Sequence, residues 1–182
     1  MRRGYALATT AALALGVLVA ATAAWASGSS SRVVQMLDAC DGPSFNAALQ
    51  DPEACVRNGG VTFDKFVGQL LENGEAPAWR FSPETMRLDA GGTITAVNRG
   101  GEAHTFSEVA QFGGGCIEEV NDLLELTAVP ECANFPAPPG GPFFGSTLAP
   151  PGGSVTTAPL GAGTHRFLCL IHPWMRTTAT VD

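Results

Sequence analysis

Positive charge is scarce in this chain. Ten Lys and Arg stand against 17 Asp and Glu, a formal net charge of −7 over 182 residues. Phosphate backbones need basic surface, so this balance excludes nucleic acid as an expected partner. Histidine is scarcer still, with three in the whole chain, which is too few imidazoles for a multinuclear metal centre unless another chain completes it. The glycine run at Gly113–Gly115 is followed by no Lys-Ser/Thr pair, which excludes a phosphate loop. No internal repeat is present. Glycine and proline, by contrast, are plentiful, at 22 and 13. They lie mostly between short apolar runs, a pattern of many turns and short strands. The length suits one domain better than two.

The first residues have the three parts of a secretory signal: Arg2-Arg3, an uncharged run from Ala6 to Ala24, and the small-x-small site Ala24-Trp25-Ala26. Residues 1–26 are therefore expected to be cleaved. The alternative is an uncleaved anchor, because the run is long enough to span a bilayer. No lipobox cysteine is present. Cleavage would leave eight basic residues against 17 acidic ones, 8 − 17 = −9. An exported chain, periplasmic or extracellular, meets an environment in which disulfides form. There are five cysteines, Cys40, Cys55, Cys116, Cys132 and Cys169, so one is left over from pairing.

Residues 27–76 read as a helical N-terminal extension. Asp51-Pro52-Glu53 has the form of a helix start, with Gly59-Gly60 as its stop. Thr62 can cap a second helix in which Phe63, Phe66, Val67, Leu70 and Leu71 recur at helical spacing, ended by Asn73-Gly74. Those apolar residues are read as core. Residues 77–182 read as a domain of strands. Thr93 to Val97 alternates between Gly91-Gly92 and Gly100-Gly101, and a short strand is expected between His104 and Val109. An insertion of about 110–153 holds one short amphipathic helix around Ile117, Val120 and Leu124, then an irregular Pro/Gly loop from Pro136 to Pro151. Strands are expected again over 154–158, 163–169 and 176–181, which are rich in β-branched residues.

The segment with chemistry in it is Cys169-Leu-Ile-His172-Pro-Trp-Met175. A thiolate, an imidazole and a thioether fall within seven residues just before the last strand. Two histidines and a cysteine with a weak axial methionine describe a blue-copper site. The second histidine is His104, at the end of the turn that follows Asn98. The sequence here resembles the cupredoxin family, and within it the plastocyanin and amicyanin group. The likeness covers about Phe81 to Val109 and Ser154 to Val181, and leaves out the N-terminal stretch and the insertion. It implies an all-β, Greek-key β-sandwich with one copper held by His104, Cys169 and His172 in a plane and Met175 on the axis. It also implies that Asn98 ties the two ligand-bearing loops together. Two positions depart from the family pattern. Thr105 stands where asparagine is frequent, and His165 where tyrosine is frequent. His165 alternates with Phe167 and Cys169, so it is read as a packed or hydrogen-bonded imidazole and not as a ligand.

With Cys169 assigned to the metal, the four remaining cysteines allow three pairings. Cys40–Cys55 and Cys116–Cys132 are favoured, because each pair encloses an element outside the β core. The resemblance implies an electron carrier working between redox partner proteins, as a monomer and not as an enzyme. The alternative is a copper-handling protein without a carrier role, but Met36, Met86 and Met175 are scattered, whereas such proteins favour exposed clusters. Trp174 and Pro173 are expected either to form an apolar patch for electron transfer or to pack at the sandwich edge.

Overall fold

The computed structural model describes residues 30–134 and 145–182. The expected signal segment and most of the Pro/Gly loop lie outside the described residues.

Two four-stranded sheets form the sandwich. The first has the order β2 (Arg80–Ser82), β1 (Ser31–Leu37), β4 (Thr93–Asn98), β8 (Ser154–Thr156). The second has the order β3 (Thr85–Leu88), β10 (Arg176–Val181), β9 (Gly163–Leu168), β6 (Ser107–Val109). β5 (His104–Thr105) pairs with β7 (Leu148–Ala149) in a small separate ladder. The core between the sheets follows from period-two alternation. Val34, Met36, Ile94, Ala96 and Phe81 from one sheet meet Leu88, Phe167, Ala179 and Val181 from the other. Phe106 stacks on Phe167 with ring centroids 4.4 Å apart. This is the all-β sandwich expected from the sequence, and the three later strand regions fall where they were placed.

The N-terminal stretch differs from the helical reading. Ser31–Leu37 is an integral strand, parallel to β4, with Met36 opposite Asn98. Its strand periodicity is short, and Val33 is 58% exposed, so the pattern carries little signal of its own. The first helix also starts earlier than expected. α1 is Gly42–Leu49, capped by Asp41, whose side chain accepts from Ser44 N, with proline in its first turn. Residues 51–56 form a turn instead of a helix. Asn46 clamps that turn, donating to the Pro52 carbonyl (2.8 Å) and accepting from Cys55 N (2.8 Å). α2, Phe63–Asn73, is capped by Thr62 and ended by Gly74 at φ 74°, as its sequence signals require. Phe66 and Leu70 are buried, but Leu71 is 65% exposed and is not core. In the insertion, α3 spans Glu118–Leu124.

Both favoured disulfides form: Cys40–Cys55 ties the turn after α1 to the end of β1, and Cys116–Cys132 closes the insertion. Cys169 is the free cysteine, and it is buried. Among the described residues, no helix is long and apolar enough to cross a membrane.

Candidate metal centre

The site lies at the end of the sandwich where two loops meet. Residues 99–103 link β4 to β5, and residues 169–175 link β9 to β10. The second loop is a closed turn: Met175 N donates to the His172 carbonyl (2.9 Å) and Cys169 N to the Met175 carbonyl (3.1 Å). This closure brings Cys169, His172 and Met175 to one end of a strand pair. His104, Cys169 and Met175 are fully buried and His172 is 5% exposed.

His104, Cys169 and His172 present three donor atoms within 4.8 Å of one another. The Cys169 Sγ stands 3.9 Å from His104 Nδ1 and 3.8 Å from His172 Nδ1. Metal bonds of about 2.1 Å to nitrogen and about 2.3 Å to sulfur, opened to about 120° in a plane, separate sulfur and nitrogen by about 3.8 Å. The donor set therefore fits a bound transition metal. Met175, the other residue singled out from the sequence, lies in the same loop with its side chain in the core.

The outer shell is where the sequence reading falls short. His104 Nε2 bonds the Oδ2 of Asp38 at 2.9 Å, and neither side chain is exposed. Asp38 follows β1 directly, and the parallel register of Met36 with Asn98 carries it beside the 99–103 loop. There its carboxylate also accepts from Gly101 N (2.9 Å to each oxygen), Glu102 N (3.1 Å) and Cys40 N (3.3 Å). Glu102 serves the other histidine: its Oε2 accepts from Trp79 Nε1 and lies 3.7 Å from His172 Nε2. Nothing near Asp38 in the sequence marks it as a partner of His104, since 66 residues separate them. Carboxylate–histidine pairs of this kind fix ring orientation and raise ligand basicity.

Asn98 does not tie the two ligand loops together. Its Nδ2 donates to the carbonyls of Glu102 (2.7 Å) and Ala149 (2.9 Å), so it joins the first loop to β7. The residue that ties the ligand loops is Thr105, the departure from the family pattern. Its Oγ1 accepts from Leu170 N at 2.7 Å, and its own N–H points to Cys169 Sγ at 3.4 Å. His165 is not in the site. It bonds Glu108 Oε1 (2.6 Å) and the Gly161 carbonyl (2.8 Å). Trp174 is half-buried against Phe66 and His172, with centroids 5.9 and 5.5 Å apart, so it packs at the edge and does not stand as a free patch.

The electrostatics suit a thiolate ligand. Burial opposes ionisation of Cys169, but its contacts with His104 and His172 outweigh it and hold the thiol well below its ordinary range. Burial likewise opposes the charged form of His104, but Asp38 and Cys169 raise it to about 9. Burial would raise Asp38, yet its bonds to His104, Gly101 and Glu102 bring it down to about 2. Glu102 has fewer donors, so burial prevails and raises it.

No protein-family model matches the sequence, and no curated protein matches it. Among solved structures, the chain is similar to a purple cupredoxin from Nitrosopumilus maritimus, with 19% identity over 59% of this chain and 86% of that one, at a TM-score of 0.39. It is similar to plastocyanin from Dryopteris crassirhizoma, with 17% identity over 57% and 89% of the two chains, TM-score 0.35. It is also similar to amicyanin from Paracoccus versutus, with 15% identity over 57% and 73%, TM-score 0.35.

Proposed function

We propose that the chain holds one copper ion, which His104, Cys169, His172 and Met175 would bind, and carries single electrons between redox partners. The observation that carries this reading is the buried, unpaired Cys169 with an imidazole Nδ1 at 3.9 Å and another at 3.8 Å. Trigonal His₂Cys sites with a weak axial methionine are blue-copper electron-transfer sites. The ion supplies a one-electron couple. The protein supplies a dry cage whose ligands are held before the metal arrives. Asp38 orients His104, Thr105 spans the two loops, and the closed 169–175 turn fixes the other ligands. A cage that moves little between oxidation states keeps the reorganisation cost low. Four protein donors leave no position for a substrate, which favours a carrier over an enzyme. Two disulfides suit an oxidising, exported location.

The test is spectroscopic. The copper(II)-loaded chain should absorb strongly in the visible with one copper per chain, and Cys169→Ser should lose that band because sulfur-to-copper charge transfer needs the thiolate. A Cys169→Ser variant that stayed intensely coloured would end the assignment.

A further inference from the structure

His165 lies outside the metal centre and is bonded through both ring nitrogens. Its Nδ1 stands 2.6 Å from Glu108 Oε1, and its Nε2 stands 2.8 Å from the Gly161 carbonyl oxygen. A carboxylate and a carbonyl only accept, so both nitrogens must donate. A neutral imidazole has one N–H, so this geometry describes an imidazolium. The bonds to Glu108 and Gly161 accordingly raise His165 above its ordinary 6.5, against the opposing effect of burial.

The charged surroundings of the ring are simple. His165 borders an opening of about 320 Å³ between β6 and β8, the edge strands of the two sheets. Among the described residues that line this opening, Glu108 is the one other titratable group. On β10 the ring's cross-strand neighbour is Ala179. β8 and the connection 157–162 bring no charged side chain to it. Arg166, the next residue, alternates to the other face and donates to the Ala110 carbonyl (3.4 Å).

The connection 157–162 joins β8 to β9 and closes over the stacked Phe106 and Phe167. Leu160 anchors its middle. That side chain is buried, its N–H donates to the Gly92 carbonyl (2.8 Å), and its carbonyl accepts from Gly91 N (2.7 Å). His165 holds the Gly161 end, next to Gly163, whose φ of 138° is open to glycine.

We propose that His165 is a pH-operated latch: as imidazolium it clasps Glu108 and Gly161 together and holds the 157–162 connection shut, and on losing a proton it releases Gly161 and loosens that connection. The neutral ring keeps its single N–H toward the carboxylate, because a bond to a charged acceptor is the stronger one. Its bare Nε2 then faces the Gly161 oxygen, and two lone pairs repel. The sign follows from the raised histidine: the latch is closed below 6.5 and opens as pH rises through the raised value. No metal is needed, so the latch stands apart from the copper reading.

The experiment is an NMR titration of the full chain from pH 5 to 9.5. Ring ¹⁵N resonances report the protonation of His165, and hydrogen exchange of the Gly91 amide, normalised to its intrinsic rate, reports opening of the bond to Leu160. Both ring nitrogens should be protonated at pH 6. Gly91 protection should fall about tenfold through the same midpoint as the ring, as loss of one bond to a charged group implies. Glu108→Gln should lower that midpoint, and His165→Gln should leave the protection low at every pH. A single protonated ring nitrogen at pH 6, Gly91 protection that is flat across the midpoint, or a midpoint unmoved by Glu108→Gln would each overturn the proposal.

Discussion

Replacing Asp38 by asparagine removes one charge and one acceptor from a fully buried side chain. The carboxylate serves four donors: His104 Nε2, Gly101 N, Glu102 N and Cys40 N. An amide has one oxygen. Whichever way it turns, its NH₂ group faces at least one backbone N–H that has lost its acceptor. A buried unsatisfied donor costs about 1–3 kcal/mol. Linkage gives a second route to the number. Asp38 is held at about 2 in the folded chain against an ordinary 3.8. The difference, 3.8 − 2 = 1.8 units, corresponds to about 2 kcal/mol. The two routes agree, so Asp38→Asn should cost the metal-free protein about 2 kcal/mol near pH 6. The pH dependence has a defined sign on each side. A lowered carboxylate stabilises above its unfolded value, and that term vanishes as pH falls from 3.8 through about 2. A raised histidine stabilises below 6.5, and the part of that term due to Asp38 fades as pH rises through about 9. The stability gap between wild type and variant should therefore form a plateau between about pH 5 and 6 and decline in both directions. Urea unfolding of both proteins, at steps from pH 2.5 to 9.5, measures it. A gap that is flat with pH would show that the Asp38–His104 pair is not charged in the folded state.

The same network fixes proton traffic on metal binding. His104 sits near 9, so at pH 7 metal binding to that imidazole should displace a proton; calorimetry in buffers of different ionisation enthalpy should read net proton release at pH 7, and no release would contradict the raised histidine. Met175→Leu should keep the copper and the colour and raise the reduction potential, because losing a weak axial donor destabilises Cu(II) more than Cu(I); an unchanged potential by voltammetry would leave Met175 as a core residue only. Alkylation of the metal-free protein without reductant should modify one thiol, Cys169, and mass measurement finding three or more would contradict the two disulfides. Replacing Cys116 and Cys132 together by serine should lower stability by about 3 kcal/mol in the chain-entropy account, read by urea unfolding, and a loss under 1 kcal/mol would show the insertion is held by its apolar contacts instead.

The sequence reading succeeded where one local pattern decides one local structure. Cys169, His172 and Met175 fall within one seven-residue loop, and the fold closes that loop as a single turn. Thr62 and Gly74 bound α2 because capping is a short-range hydrogen-bond matter. The misses are of another kind. The strand Ser31–Leu37 exists because it pairs with β4 and β2, and seven residues with two fully buried positions do not announce that by themselves. The turn at 51–56 resembles a helix start in residue type, but Asn46 and the Cys40–Cys55 bridge decide it. Asp38 was invisible for the same reason as its strand, since it reaches His104 through sheet register alone. Thr105 stands out in the sequence only as a departure from the family pattern. In the fold its hydroxyl does the joining that had been assigned to Asn98.

Gly100-Gly101 shows how the two kinds of information combine. In the sequence the pair is a turn signal, and a turn is what forms. Neither glycine, however, is among those with positive φ. They are required by what approaches them. A methyl group at Gly100 would overlap the Asp38 carboxylate, which four donors hold in place and which cannot swing aside. One at Gly101 would stand 2.7 Å from Cys40 Sγ and 2.8 Å from Arg57 Cβ. The turn is stripped of side chains so that the end of β1, its carboxylate and its disulfide can press against the loop that delivers His104. The N-terminal segment is therefore no appendage to the sandwich. It forms a strand of the first sheet, supplies the carboxylate partner of His104 and, through α1 and α2, part of the apolar cover over His172. The charge pattern follows from that arrangement. Two carboxyl groups, Asp38 and Glu102, face the two imidazoles from the side away from Cys169, so each ring has a carboxyl oxygen near Nε2 and a sulfur near Nδ1. Such a cage favours a bound cation before any metal–ligand bond is counted, and it favours the higher charge of an oxidised ion over a reduced one.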